Sequence, residues 1–326
     1  MNRRQFLRNS AYLAGIGPLA RLGLGAPAGA LTSVDGVKLH RELLVMDTYE
    51  PLEVPVETWR QAGVDVVIRD VMNWKDMPPL ELVVGPRPTP MSTVPPAGLN
   101  IWDHARDDVG MMQLTEQGIT EELRFIERNR DHVALALNTG DVMKIVQGGR
   151  IAIIMMIKGA WINQDLAVLR RFHQLGLRVT ALSHAAALAW ADSAYERNAK
   201  PGLAGFGREF VHECNRLGIL VDLSHASDES AWDILAATSK PVVATHSNCR
   251  SVTNVPRNMP DDLLHALAKN GGMIGLIAAD VNTGKFELAQ IDHAVKTIGI
   301  DHVGVCSHNI GLEKWEGFTA VLLEHG

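Results

Sequence analysis

Clusters of basic residues are missing from this chain of 326 residues, in which 31 Lys and Arg face 37 Asp and Glu, for a formal charge of -6 and a pI near 6.1. Nucleic acid and anionic membrane surfaces are held by massed cations, so neither is an expected partner; a small molecule is. Cysteine is scarce. Cys214, Cys249 and Cys306 form neither a CxxC pair nor a disulfide framework, and each lies in or beside an apolar element, which reads as buried thiols. No GxGxxG follows the first strand-like run and no P-loop occurs, so the nucleotide-binding fingerprints are absent. No repeat with a period of about 20–50 residues is present either.

The N-terminus is the exception to this plainness. Arg3-Arg4-Gln5-Phe6-Leu7 is a twin-arginine pattern, followed by the uncharged run Ala11 to Ala20 and by small residues at Ala26-Pro27-Ala28 and Ala28-Gly29-Ala30. The apolar run is too short and too glycine-rich to span a bilayer, which takes about 20 apolar residues. Residues 1–30 are therefore expected to be a twin-arginine signal peptide, leaving residues 31–326 as one domain, periplasmic or secreted, with no stable membrane span. Hydrophobic residues make up 46% of the chain, enough for a substantial core.

Strand-like runs are read at Glu42–Asp47, Val64–Ile68, Val133–Leu137, Ile151–Ile157, Arg178–Leu182, Ile219–Leu223, Pro241–Thr245, Met273–Ala278 and Val303–Val305. Helical spacing is read at Asp107–Asn129, from Asp141, and at Asp165–Leu175, Phe206–Leu217, Asp228–Ala237, Asp261–Lys269 and Leu288–Ile298. Residues 73–100 read as an irregular excursion, with seven prolines from Pro78 to Pro96. Apolar strands alternating with helices predict a (β/α)8 TIM-type barrel; a doubly wound open sheet is the runner-up.

Chemistry gathers where the strand runs end. Lys158, His184, His225, His246 and His308 all follow such runs, and so does Asp47-Thr48-Tyr49-Glu50. A barrel brings the carboxyl ends of its strands to one face, where His225 and His246 could meet as metal ligands. The alternative is that each imidazole is merely satisfied by backbone hydrogen bonds. His104, His132, His173 and His265 fall in loops or on helix faces and read as exposed.

The text from Gly149 to Gly304 resembles the membrane dipeptidase family, the renal-dipeptidase-like zinc peptidases (peptidase family M19) of the amidohydrolase superfamily. The matching stretches include LGLRVTALSH, WADSA, GLAGFGREFVHECNRLGILVDLSHASDES, PVVATHSNCRSV, RNMPDD, NGGMIG and IGIDHVGV. The resemblance implies a (β/α)8 barrel of the metallo-dependent hydrolase type and, in active members, a two-zinc site that hydrolyses dipeptides. Carried over by position, it makes His225 and His246 ligands of one zinc, His184 a contact to the substrate carbonyl, and Arg257 the partner of the substrate carboxylate.

Other positions depart from the family pattern. Its first-strand His-x-Asp pair becomes Tyr49 and Pro51, its metal-bridging glutamate becomes Lys158, and its last-strand aspartate becomes His308. An ammonium in place of a bridging carboxylate repels a second dication by several kcal/mol even at an effective dielectric near 20. One zinc ion at most is therefore expected, with none as the alternative. The first expectation is a pocket for a small peptide-like ligand with impaired or altered hydrolysis, in which Arg257 holds a carboxylate, His184 a carbonyl and Lys158 a second anionic group. By analogy, such a protein could serve periplasmic peptide or siderophore maturation. The rivals are an active single-zinc dipeptidase using His225, His246 and His308, the last as ligand or base, and a non-catalytic periplasmic interaction protein. The chain stops soon after the last strand run, which is expected to leave apolar surface there and to favour a homo-oligomer.

Overall fold

The computed structural model describes residues 33–50, 54–72, 108–184, 186–196, 198, 201–277, 287–308 and 315–325. Its strands are β1 (Met46–Glu50), β2 (Val66–Asp70), β3 (Val133–Leu135), β4 (Ile151–Lys158), β5 (Leu177–Ala181), β6 (Leu220–Asp222), β7 (Val243–Ser247), β8 (Met273–Ile277) and β9 (Val303–Cys306). The helices are α1 (Ser33–Glu42), α2 (Val56–Gln61), α3 (Asp108–Arg128), α4 (Thr139–Gln147), α5 (Leu166–Gln174), α6 (Gly205–Leu217), α7 (Asp228–Ala237), α8 (Asp261–Lys269), α9 (Leu288–Ile298) and α10 (Trp315–His325). All strand pairings are parallel, in the order β1-β2-β4-β5-β6-β7-β8-β9, and β3 pairs with β4. This is the (β/α)8 barrel that the sequence predicts, nearly closed, with β3 as an extra strand.

Side chains complete the ring. Between β1 and β9 there is no backbone ladder among the described residues. Instead Thr48 Oγ1 donates to the Thr245 carbonyl (2.7 Å) and the Val305 carbonyl (3.1 Å). Ser307 N–H donates to Asp47 Oδ1 (3.0 Å) and Ser307 Oγ to Glu50 Oε2 (2.7 Å). Gly275 on β8 leaves the room this needs, since a methyl there would overlap Thr48 Oγ1 and the Thr245 carbonyl.

Helix starts follow their caps: Asn138, Asp165 and Ser227 accept the N–H of Asp141, Ala167 and Ser230. Gly218 ends α6 at φ 76°, a left-handed value that costs glycine little. The helices bury Leu169, Phe172, Phe210, Ile234 and Leu264 against the sheet.

Boundaries shift in places. Glu42 ends α1, so the first strand starts at Met46, and Asp47, Tyr49 and Glu50 lie inside it. The proline- and glutamate-rich connection after β1 contains α2, begun by Pro55. Beyond β9 the chain forms α10, which buries Trp315, Phe318 and Ala320, and His40 of α1 meets Thr319 at 2.8 Å. Part of the apolar surface expected there is thereby covered. The twin-arginine leader, Pro51 and residues 73–100 lie outside the described residues. Among the described residues, no helix is long and apolar enough to cross a membrane.

Candidate active site

The carboxyl ends of the strands bring the imidazoles together. His225 follows β6, His246 lies in β7, and their Nε2 atoms are 3.0 Å apart. His184 lies 4.4 Å from His225 and His308 lies 5.5 Å from His246, ring centre to ring centre. Tyr49 of β1 stacks on His246 at 3.9 Å and 18°. His225 and His308 have φ of 71° and 48°, a left-handed conformation unusual for a residue with a Cβ and one that concentrates at functional sites. All six site residues predicted from sequence share this end of the barrel, with Arg257 arriving from the loop after β7.

A relay behind His246 fixes its proton. Asp222 Oδ1 accepts the N–H groups of Ser224 and Thr245, and Oδ2 accepts the Thr245 hydroxyl at 2.6 Å. Having spent its proton on the carboxylate, that hydroxyl can only accept from His246 Nδ1–H, 2.7 Å away. The lone pair of His246 is therefore on Nε2, facing His225. Burial pushes the Asp222 carboxyl up, and the hydrogen bonds from Thr245 and Ser224 oppose that.

The imidazoles are held neutral. Burial first, then the charge of Arg257, puts His225 and His246 well below the usual histidine range; for His184 the causes are burial and then Lys158. His308 is lowered to about 3 by burial, Lys158 and Arg257. Neutral imidazole is the form that binds a metal or donates a single N–H.

The metal implied by the sequence resemblance fits in part. The paired Nε2 atoms, one with an assigned lone pair, suit one side of a single ion, and a carboxylate-backed histidine is a usual metal support. The buried His225 Nδ1 has no partner. Among the described residues, however, no group of three His, Cys, Asp or Glu is arranged to hold a metal.

Lys158 closes β4 with its side chain 8% exposed, its Nζ bonded to Tyr49 Oη (2.5 Å) and 3.6 Å from Asp70 Oδ2. Tyr49 Oη donates to the same Asp70 oxygen at 3.0 Å. Burial lowers the pKa of Lys158, Asp70 raises it, and Arg257 lowers it again. Burial and Asp70 push the Tyr49 phenol well above its usual value. Arg257 donates to Ser247 Oγ (2.7 Å) and to the His246 carbonyl (2.5 Å). Asp70, Asp222 and Thr245 escaped the sequence reading. A charged residue closing the apolar run VVIRD was the available signal for Asp70; the other two act through His246 and leave none.

Under this cluster, Asp47 and Glu50 are fully buried, each with one carboxyl oxygen unpaired. Burial, then the Asp47 charge, pushes Glu50 up to about 9, and burial pushes Asp47 up to about 6.

Comparison with known proteins agrees with this architecture. The family model of membrane dipeptidase (peptidase family M19) matches residues 90–321. Dipeptidase verJ of Clonostachys rogersoniana is 34% identical over 218 residues, 63% of this chain and 56% of that protein. Dipeptidase tcpJ of Claviceps purpurea is 34% identical over 251 residues, 71% of this chain and 59% of that one. This chain thus matches little more than half the length of these curated relatives. The probable dipeptidase PvdM from Pseudomonas aeruginosa has the same fold, with a TM-score of 0.74 at 19% identity over 90% of this chain and 92% of that one.

Proposed function

The chain belongs to the membrane dipeptidase family, peptidase family M19, and from that premise we propose an exported protein whose pocket holds a small peptide-like ligand while two-metal dipeptide hydrolysis is impaired or replaced. The observation that carries this is the Lys158 ammonium, buried and joined to Tyr49 and Asp70, at the position that corresponds to a bridging carboxylate in the family. A bridging anion offsets the repulsion between two dications; an ammonium adds to it. Arg257 would hold the ligand's carboxylate by a forked hydrogen bond, His184 a carbonyl, and Lys158 a second anionic group. The leader around Arg3-Arg4 supports export by the twin-arginine route.

His225 and His246 would hold one zinc ion at most. When bound, such an ion would polarise a carbonyl and bring the pKa of its water toward neutrality. A single-metal dipeptidase is therefore the second reading, favoured by the 3.0 Å approach of the two Nε2 atoms and the Asp222–Thr245 relay behind one of them. His308 would then act as third ligand or as base. Metal analysis of the purified protein, with a dipeptide panel assayed with and without added zinc, separates the readings. The first expects at most one zinc and no turnover. One zinc with hydrolysis, both lost in His225→Ala, replaces it by the second; two zinc ions per chain defeat both.

A further inference from the structure

We infer that Asp47 and Glu50 share one proton, held between Glu50 Oε1 and Asp47 Oδ2, and that this proton works as a pH-sensitive latch between the first and last strands of the barrel. The latch is independent of any ligand in the pocket.

Hydrogen-bond donors decide where the proton sits. Both side chains are fully buried, and the two carboxyls lie within hydrogen-bond reach of each other. Asp47 Oδ1 accepts the N–H groups of Tyr49 (3.2 Å) and Ser307 (3.0 Å). Glu50 Oε2 accepts the Ser307 hydroxyl (2.7 Å). One oxygen of each acid is left over, Asp47 Oδ2 and Glu50 Oε1, and among the described residues no donor reaches either. Two ionised carboxylates would offer each other only acceptors. A single proton on Glu50 Oε1, donated to Asp47 Oδ2, satisfies both oxygens at once.

Glu50 is the acid that keeps it. Asp47 already takes two N–H donors, which favour its charge, whereas Glu50 takes one hydroxyl. Arg69 of β2 favours an ionised Glu50 and Asp47 opposes it; Glu50 in turn pushes up the Tyr49 phenol of β1 and the Cys306 thiol of β9. Burial is the largest influence and, with Asp47, raises Glu50 to about 9.

The seam between β1 and β9 depends on this pair, because no backbone ladder joins those strands among the described residues and Ser307 is bonded to both acids. With the proton in place the pair carries a single charge. Without it, two buried carboxylates repel within reach of each other and the seam through Ser307 loosens.

Infrared difference spectra test the shared proton. Subtracting Glu50→Gln from the unaltered protein at about pH 7 should leave a protonated-acid carbonyl band and no carboxylate band, since the amide keeps the donor and drops the proton. In the unaltered protein the acid band should give way to carboxylate with a midpoint near 9. Asp47→Asn should lower that midpoint by at least about one pH unit. Hydrogen exchange, corrected for intrinsic rates, tests the latch: across the midpoint, protection should fall at least about tenfold in Met46–Glu50 and Val303–Cys306 while Ile151–Lys158 keeps its own. A carboxylate band in the difference spectrum overturns the shared proton, and so does an unmoved midpoint in Asp47→Asn. Should Glu50→Gln not fold, the unaltered protein decides alone, and no exchange of acid for carboxylate between about pH 7 and 10 overturns it as well. Uniform loss of protection, or none, overturns the latch.

Discussion

Removing the Lys158 ammonium should cost more stability than its single side chain suggests. In Lys158→Met the Asp70 carboxylate, with no exposed surface, keeps the Tyr49 hydroxyl and the Met72 N–H but loses its cation. At 3.6 Å and an effective dielectric of about 20, the pair interacts by about 4–5 kcal/mol before desolvation is counted. Breaking one side of a buried pair typically costs about 3–5 kcal/mol, since the other charge is stranded. Removing both charges avoids that stranding. Lys158→Met with Asp70→Asn should therefore be less destabilised than the sum of the single variants by about 2 kcal/mol or more. Denaturant unfolding of the four proteins in a double-mutant cycle reads this directly. Additivity within about 0.5 kcal/mol would mean that the pair is not coupled, and the electrostatic account of the mouth would fail with it.

Three more outcomes are expected. Thr245→Val removes the acceptor that holds His246 Nδ1–H and the donor to the buried Asp222 Oδ2, so any zinc affinity should drop by about 10–100-fold and stability by about 1–3 kcal/mol; competition with a chelating dye on the still-folded variant measures the first, and unchanged affinity counts against the relay. Glu50 has its pKa raised from 4.5 to about 9 in the folded protein, so the folded state binds the extra proton between those values and stability from this group is present below pH 4.5 and declines as pH rises to 9, by at most about 1.4 kcal/mol per pH unit. Glu50→Gln should flatten that decline in melting temperature, and parallel profiles would refute the assignment. Gly275→Ala forces a methyl against Thr48 Oγ1 and the Thr245 carbonyl and should destabilise by roughly 1–3 kcal/mol, whereas Gly149→Ala, with open space but φ 74°, should cost only its backbone strain, about 1 kcal/mol; equal melting temperatures for both variants would show that the barrel interior yields.

The barrel was legible because its inner strands are apolar on both faces. Ile151 to Ile157 can hardly be read otherwise, and each such run ends where the ring needs its chemistry. β1 was misplaced for the opposite reason. Its residues Asp47, Thr48 and Glu50 are polar yet buried, so the apolar run before them, Leu43 to Val45, drew the boundary too early. α1 and α10 hold each other in place, Gly36 lying so close to Ala320 that a methyl would collide, and contact between the two ends of a chain has no local signature. At the mouth, the histidines announced themselves by position. The groups that orient them did not, because Asp222 reaches His246 only through Thr245, a link made in space between neighbouring strands.

Most barrels of this kind are cinched by peptide groups, whose geometry no point substitution can delete. Here the last turn of the belt is buckled by Thr48, Ser307, Asp47 and Glu50. The hoop strength of the fold is thus encoded in replaceable side chains and in one retained proton, and drift at those positions could slacken the cylinder beside His308 without touching a residue of the mouth itself.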